Sequence, residues 1–428
     1  MALLHLGGCA GDFIRGQQIG DQELNRQPRN RGRQLPGAAL SCGLITIDDE
    51  DVRARLLEAR GNRPADPVRA AADQRDAAFE WRGVLICLHA GSEYTLSPVE
   101  LGINTDWSYR GLPAVVLENR YLRVVILPAA GAKILQITYK PLDADLLWEN
   151  PRSAPARLPI NSRYDDVWSG GWDELFPNDE ATLIDGEAYP DHGELWTADW
   201  RAEPFGSADE VGVRLRVITP ISAITFEKTI SLRRDSMQLE FRHALRNPGT
   251  APFPFLWKLH PALAVSPAHR IDFPDMQVVR EPAFPGTLSG APLSFRWPHA
   301  LIDGADVDLR RIPDITARQL VFFYGTQMQA GWCALTNTAT QLACGLVFDQ
   351  TVFPSCWLFA SYGGWRGHNV AVLEPCTGYP VDFAAMRATG RQRTLEAGGS
   401  LETRVLFTVQ EGIASVGRIE PDGRIIGG

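Results

Sequence analysis

Three short segments of this 428-residue chain carry side chains suited to moving protons. Gly170–Trp200 (GGWDELFPNDEATLIDGEAYPDHGELWTADW) is dense in acids, glycines and tryptophans and contains the run Asp191-His192-Gly193-Glu194. Phe255–Val265 (FLWKLHPALAV) is an apolar run interrupted by Lys258 and His260. Ala371–Pro380 (AVLEPCTGYP) puts Glu374 at the end of another apolar run, next to Pro375. A titratable group inside a β run is costly unless it is paired or used. If Val370–Glu374 is extended, Val370, Val372 and Glu374 share a face, and the same alternation groups Leu256, Lys258 and His260. Polar groups at the ends of apolar strands are what the floor of a cleft requires. Aromatic faces accept the C–H surface of a pyranose, and a few convergent acids and histidines fix its hydroxyls.

The elements that must position these residues read as strands. Glu118–Tyr139 reads as two β segments around a turn at Pro128–Gly131. Val211–Val217, Ile224–Leu232 and Met237–Leu245 read as consecutive antiparallel strands. Leu320–Tyr324, Gly331–Leu335, Leu342–Phe348, Cys356–Phe359, Asn369–Leu373 and Ser400–Thr408 continue the pattern, with turns at NPGT, PAFPGT, SYGGWRG and EAGGS. No segment between 86 and 418 reads as a long amphipathic helix. The 39 glycines and 30 prolines exceed the usual combined share of ~12% and fit many strand connections. Length alone would suggest about three domains. The pattern instead predicts an all-β class, one large antiparallel β-sandwich over 86–418, with a short tail at 419–428.

Residues 1–85 differ. They hold 12 Arg against 12 Asp and Glu, and up to residue 78 their single aromatic is Phe13. Gly16–Gly37 is polar and broken by Pro28 and Pro36, so it buries too little to offset ordering entropy and is expected to be disordered. Asp48–Arg60 and Pro67–Trp81 are expected as short helices. The extension is either a regulatory or partner-binding segment or an optional tail.

Composition excludes several classes. The net charge of −9 falls entirely after residue 85 and argues against nucleic acid or anionic membranes as partners. No run approaches the ~18 apolar residues of a membrane span. The start MALLHLGGCAG lacks a basic segment, and its apolar stretch is too short for a signal, so a cytoplasmic location is expected. Seven cysteines without CxxC spacing read as small core residues in a reducing compartment. Only four lysines occur: Lys133, Lys140, Lys228 and Lys258.

The three segments together resemble the aldose 1-epimerase (galactose mutarotase-like) superfamily. LENRYLRVVILPAAGAKILQITYK followed by DLLWENP is similar to that family's opening strands and glycine turn. DHGELW resembles the stretch with its first active-site histidine, WKLHPAL the one with its second, and LEPCTGYP the late strand with its glutamate. The order agrees, and the likeness spans roughly 86–415. The resemblance implies a β-supersandwich and a mutarotase-like isomerase acting on a monosaccharide or sugar derivative, with no cofactor and no metal. It implies that Glu374 removes the anomeric hydroxyl proton, that His260 protonates the ring oxygen, and that His192 helps hold that oxygen. Arg163, Asp173 and Arg366 are candidates for the family's sugar-binding arginine and aspartate. Trp172, Trp257 and Glu194 are further candidates for contact with the sugar.

Each candidate has a structural alternative. His192 could cap a turn, His260 could be a satisfied core histidine, Glu374 could pair with an arginine such as Arg366, and Trp172, Trp196, Trp257 and Trp365 could be core. Asp173 and Glu174 could form a solvated loop, and His368 is a further cleft candidate. Three other functions stay open: a carbohydrate-binding protein without turnover; a metal enzyme using His192, Glu194 and His260; and a glycoside hydrolase pairing Glu374 with Asp173 or Glu174.

Overall fold

Alternation builds the smaller of the two large sheets. Along Glu210–Ile218, Thr225–Arg233 and Gln238–Arg246, buried Val213, Ile230 and Phe241 fall in register across the three strands, while Arg214, Glu227 and Arg242 face outward. These strands join Ser400–Glu411, Leu342–Phe348, Trp332–Asn337 and His269–Asp272, with Arg201–Gly206 on the opposite edge, into an eight-stranded sheet. This computed structural model describes residues 100–428. The expected extension over 1–85, its helices at Asp48–Arg60 and Pro67–Trp81, the boundary near 86, and Cys9, Cys42 and Cys87 lie outside the described residues.

The second sheet has twelve strands. Its centre runs Lys133–Tyr139, Trp172–Leu175, Lys258–Ala264, Asn369–Cys376, Ser355–Tyr362 and Gln319–Thr326, with antiparallel pairing between neighbours. One shared core lies between the two sheets. Leu117, Ile134, Trp172, Leu259, Leu358 and Leu373 come from the larger sheet, and Phe226, Phe241, Leu346 and Phe407 from the smaller. Burying each such side chain contributes about 1.5–3 kcal/mol. Because the side-chain period is two, the residues between them (Asp173, Lys258, His260, Val372 and Glu374) face away from the core on the outer surface of the larger sheet. Loops and smaller apolar clusters cover that surface.

Most expected strands are present, several extended by a few residues at the ends. Two regions differ. Glu118–Tyr139 holds parts of three strands rather than two, because Asn119 makes an extra turn. Its Oδ1 accepts from the N–H groups of Tyr121 and Leu122, and its Nδ2 donates to the carbonyls of Arg233 and Ser236. The expected tail at 419–428 instead completes a hairpin, Val416–Ile419 with Ile425–Gly427, which buries Ile419 and Ile425 against Trp332 and Ala343. Cys333, Cys344, Cys356 and Cys376 are buried free thiols. Two short α-helices, Tyr164–Val167 and Phe383–Ala388, are the only ones among the described residues. Neither is long enough to cross a membrane.

Candidate active site

Asp173, His260 and Glu374 form one row across three neighbouring strands. His260 is the register partner of Asp173. On its other side Lys258 pairs with Cys376 and Ala262 with Val372, which brings Glu374 level with His260. Trp357 continues the row as the partner of Glu374. Pro261 and Pro375 flank this row, and each removes a backbone N–H from the ladder there.

Lys258 sits above the row. Its Nζ lies 2.7 Å from Glu374 Oε2 and 3.0 Å from Asp179 Oδ2, and 4.5 Å from the centre of the Trp357 ring. The Glu374 contact is an ion pair out of hydrogen-bonding alignment. Burial pushes the Glu374 carboxyl above its ordinary value; Lys258 pulls it down, but Asp179 adds to the rise. Burial works against the Lys258 ammonium, yet Asp179 and Glu374 hold it firmly protonated.

His192 arrives from the loop that follows Trp172–Leu175. Its backbone is left-handed (φ 61°), and Gly193 follows in the same region, where a Cβ would lie 2.1 Å from the Phe176 carbonyl oxygen. A non-glycine residue in this conformation is strained and held by its surroundings. Asp191 Oδ1 lies 2.9 Å from His192 Nδ1, and Asp179 Oδ1 lies 3.4 Å from Nε2. Burial disfavours the charged ring, but Asp179 and Asp191 outweigh it and raise its pKa. The ring stacks on Tyr164, with centroids 4.1 Å apart and planes 8° apart.

His260 has the opposite character. Burial first, then the charges of Lys258, His192 and Lys133, hold it well below the ordinary histidine value, so it is neutral. Its Nδ1 lies 3.2 Å from the Tyr164 hydroxyl. That hydroxyl is 2.9 Å from Asp173 Oδ2, which also accepts from Lys133 Nζ at 2.5 Å. Burial and the Asp173 charge keep the phenol protonated. The imidazoles of His192 and His260 lie 6.4 Å apart, edge to face.

Three buried polar atoms around this cluster make no aligned hydrogen bond: Asp173 Oδ1 and Trp168 Nε1, which have no partner, and Glu374 Oε2, which meets the Lys258 ammonium at 2.7 Å. Native interiors seldom leave such groups unpaired, so they mark capacity reserved for a ligand or ordered water. A small cleft lined by Lys133, Leu158, Tyr164, Trp168, Asp173 and Trp196 adjoins two of them.

His192, His260, Glu374 and Asp173 therefore share one cluster, and the other sequence candidates do not join it. Trp172 points into the inter-sheet core against Phe241, with centroids 4.7 Å apart. Trp257 does the same against Phe226 and Phe353. Each immediately precedes a site residue, so strand parity sends it to the other face. Glu194 is fully buried and caps a turn, accepting from the Ile221 and Ser222 N–H groups and from the Ser222 hydroxyl. Its carboxylate is engaged by that turn, and no group of three or more His, Cys, Asp or Glu side chains placed to hold a metal ion occurs among the described residues. Arg163 is exposed beside Asp166 at 3.6 Å. Arg366 lies on the rim, 2.9 Å from Asp166 and stacked on Trp365, and does not pair with Glu374. His368 is a packed residue against Trp148, held below the ordinary range at about 4 by burial and by Arg152 and Arg366. Glu174 is neither solvated nor near Glu374; it lies in the core with Lys228 and His243.

Lys133, Tyr164, Trp168, Asp179 and Lys258 belong to the cluster but were not assigned to it from sequence. Lysine was a signal: three of the four lysines are buried in carboxylate pairs, Lys133 with Asp173, Lys228 with Glu174 and Lys258 with Glu374, and Lys140 pairs with Glu118. Tyr164 opens the one-turn helix Tyr164–Val167 and Asp179 lies in a loop, and neither is marked by any periodicity.

No protein-family model and no curated protein sequence matches the chain. Solved structures do. A "putative aldose 1-epimerase" from Klebsiella pneumoniae is 16% identical with a TM-score of 0.58, covering 70% of this chain and 80% of that one. An Escherichia coli K12 protein of the same description is 16% identical with a TM-score of 0.52, covering 70% and 100%. A galactose mutarotase-like protein from Clostridium acetobutylicum is 10% identical with a TM-score of 0.52, covering 73% and 99%. The described residues thus have the galactose mutarotase-like sandwich fold.

Proposed function

We propose that the chain interconverts the anomers of a monosaccharide, with Glu374 as the base at the anomeric hydroxyl and an imidazole as the proton donor at the ring oxygen. The observation that carries this reading is the contrast within one cluster. A buried carboxyl with a raised pKa stands level with a neutral imidazole, and a second imidazole with a raised pKa lies 6.4 Å from the first. Mutarotation needs a base and an acid on different edges of one ring, each able to reverse its role. Glu374 takes the O1 proton, the C1–O5 bond breaks, and O5 takes a proton from the imidazole. The open aldehyde turns about C1–C2, and the same groups run backward to close the other anomer. The likeness of fold to proteins described as aldose 1-epimerases supports the reading.

The test is NMR anomer exchange or polarimetry over a panel of neutral sugars and sugar phosphates, with wild type and Glu374→Gln. Acceleration by wild type that is lost in Glu374→Gln supports the proposal; exchange no faster than buffer on every sugar sinks it. One observation favours a second reading, sugar binding without turnover: the ion pair between Lys258 and Glu374 engages the base. That reading expects calorimetric binding of a sugar with no exchange, unaltered in Glu374→Gln.

A further inference from the structure

We propose that His192 is the proton donor to the ring oxygen, and that the Lys133–Asp173–Tyr164 chain fixes His260 as its Nδ1–H tautomer, a hydrogen-bond acceptor through Nε2. The inference rests on the anomer-exchange reading for its chemistry, but the state of each ring is a property of the protein alone. It reverses the roles that the sequence resemblance implied for the two histidines.

The argument is a count of protons. Tyr164 has one O–H and two neighbours, Asp173 Oδ2 at 2.9 Å and His260 Nδ1 at 3.2 Å. Asp173 Oδ2 also faces the Lys133 ammonium at 2.5 Å, so it acts as the acceptor and the phenol proton points to it. The phenol oxygen then offers His260 only a lone pair, and Nδ1 must carry the hydrogen of that contact. A neutral imidazole has one N–H, so Nε2 is bare. Bare Nε2 has no proton to give to O5; it accepts from a sugar hydroxyl and orients the ring.

His192 is built the other way. Carboxylates face both of its nitrogens, Asp191 at Nδ1 and Asp179 at Nε2, and a ring between two acceptors carries both protons. The longer contact, 3.4 Å, is at Nε2 and is the one to be exchanged for O5. In the forward step the O1 proton passes to Glu374, the C1–O5 bonding pair goes to O5, and the Nε2 proton of His192 moves to O5. His192 is left neutral, with its Nδ1–H on Asp191. Reclosure returns both protons. Besides the two carboxylates, Tyr164 stacks on His192, and the charges of Lys258, Asp165 and Glu374 act on it. His260 faces Tyr164 and Trp168, and feels Lys258, Lys133 and His192.

The experiment is nitrogen-15 imidazole NMR of the full chain, with signals assigned by their loss in His192→Gln and His260→Gln. The expected spectrum at pH 7 has His192 protonated on both nitrogens and His260 neutral with the proton on Nδ1, unchanged down to pH 5. A neutral His192, or a His260 carrying its proton on Nε2, overturns the proposal. Tyr164→Phe removes the phenol lone pair and is expected to move His260 toward the Nε2–H form; an unchanged tautomer in a folded variant also overturns it. If that variant does not fold, the wild-type tautomer alone decides. Activity gives a separate arm. Asp191→Asn should move the alkaline limb of the exchange rate down by about one pH unit, whereas His260→Gln should lower the rate and leave that limb in place. The opposite pattern assigns the donor to His260. Absence of exchange in wild type defeats the proposed reaction, while the spectra still decide the state of each ring.

Discussion

Asp173 and Glu174 are neighbours in sequence and lie on opposite faces of one sheet, each paired with a buried lysine. On the core face, Glu174 Oε1 meets Lys228 at 2.9 Å and His243 Nε2 at 3.0 Å, and Oε2 accepts from Trp257 Nε1 at 3.2 Å. Both of its oxygens are engaged, and the cluster leaves only His243 Nδ1 unpaired. On the outer face, Asp173 uses Oδ2 for Lys133 and Tyr164 and keeps Oδ1 free, near an unpaired Trp168 Nε1. The same pair of residue types is closed on one side and open on the other. Burial and ion pairing therefore do not by themselves identify a site; the two faces differ in the carboxylate, whose oxygens are both engaged in Glu174 and only one of which is engaged in Asp173.

The largest expected effect separates the faces by activity. Glu374→Gln should slow anomer exchange about a thousandfold with little change in melting temperature; an NMR exchange rate near wild type would erase the distinction. Next, Lys228→Met leaves Glu174 in the core without its ammonium partner. It should lower stability by about 3–5 kcal/mol in urea titration, while exchange per folded molecule stays near wild type.

The third effect is a pair of opposite pH slopes. Burial opposes the Glu174 carboxylate, but Lys228 and His243 hold its pKa down at about 2. The unfolded chain then binds the extra proton, so its contribution is present above ~4.5 and is lost as pH falls toward 2. Glu374 is raised, so the folded state binds the extra proton, and stability rises as pH falls from its folded pKa toward ~4.5. Urea midpoints against pH should lose the first slope in Glu174→Gln and the second in Glu374→Gln. The smallest effect compares two indoles. Trp257→Phe removes a hydrogen bond and Trp168→Phe removes none, so Trp257→Phe should be the more destabilising by about 1 kcal/mol. Equal losses would mean that the Trp257 contact contributes nothing.

The strands were legible because alternation and turn residues are local. The Asn119 turn was missed because one asparagine inside ENRYL resembles any polar residue within a strand. The C-terminal hairpin was missed because two isoleucines in a glycine-rich stretch give no period. At the site, the parity that groups Lys258 with His260 also sends Trp257 to the core, and the parity of Asp173 does the same to Trp172. Their assignment to the sugar overlooked a rule the sequence already obeyed. Tyr164 and Asp179 were beyond reach, since only the folding of a one-turn helix and a loop over the sheet brings them to the histidines.

The lysines have a practical consequence. The side chains of Lys133, Lys228 and Lys258 are 7%, 2% and 4% exposed, and Lys140 is 21% exposed and tied to Glu118. Residues 1–99 contain no lysine. Among the lysines, acylating reagents, amine cross-linkers and amine-coupled sensor surfaces therefore meet Lys140 alone in the folded, described residues. Labelling at Lys133, Lys228 or Lys258 requires those side chains to become exposed, so their modification rate is a readout of opening.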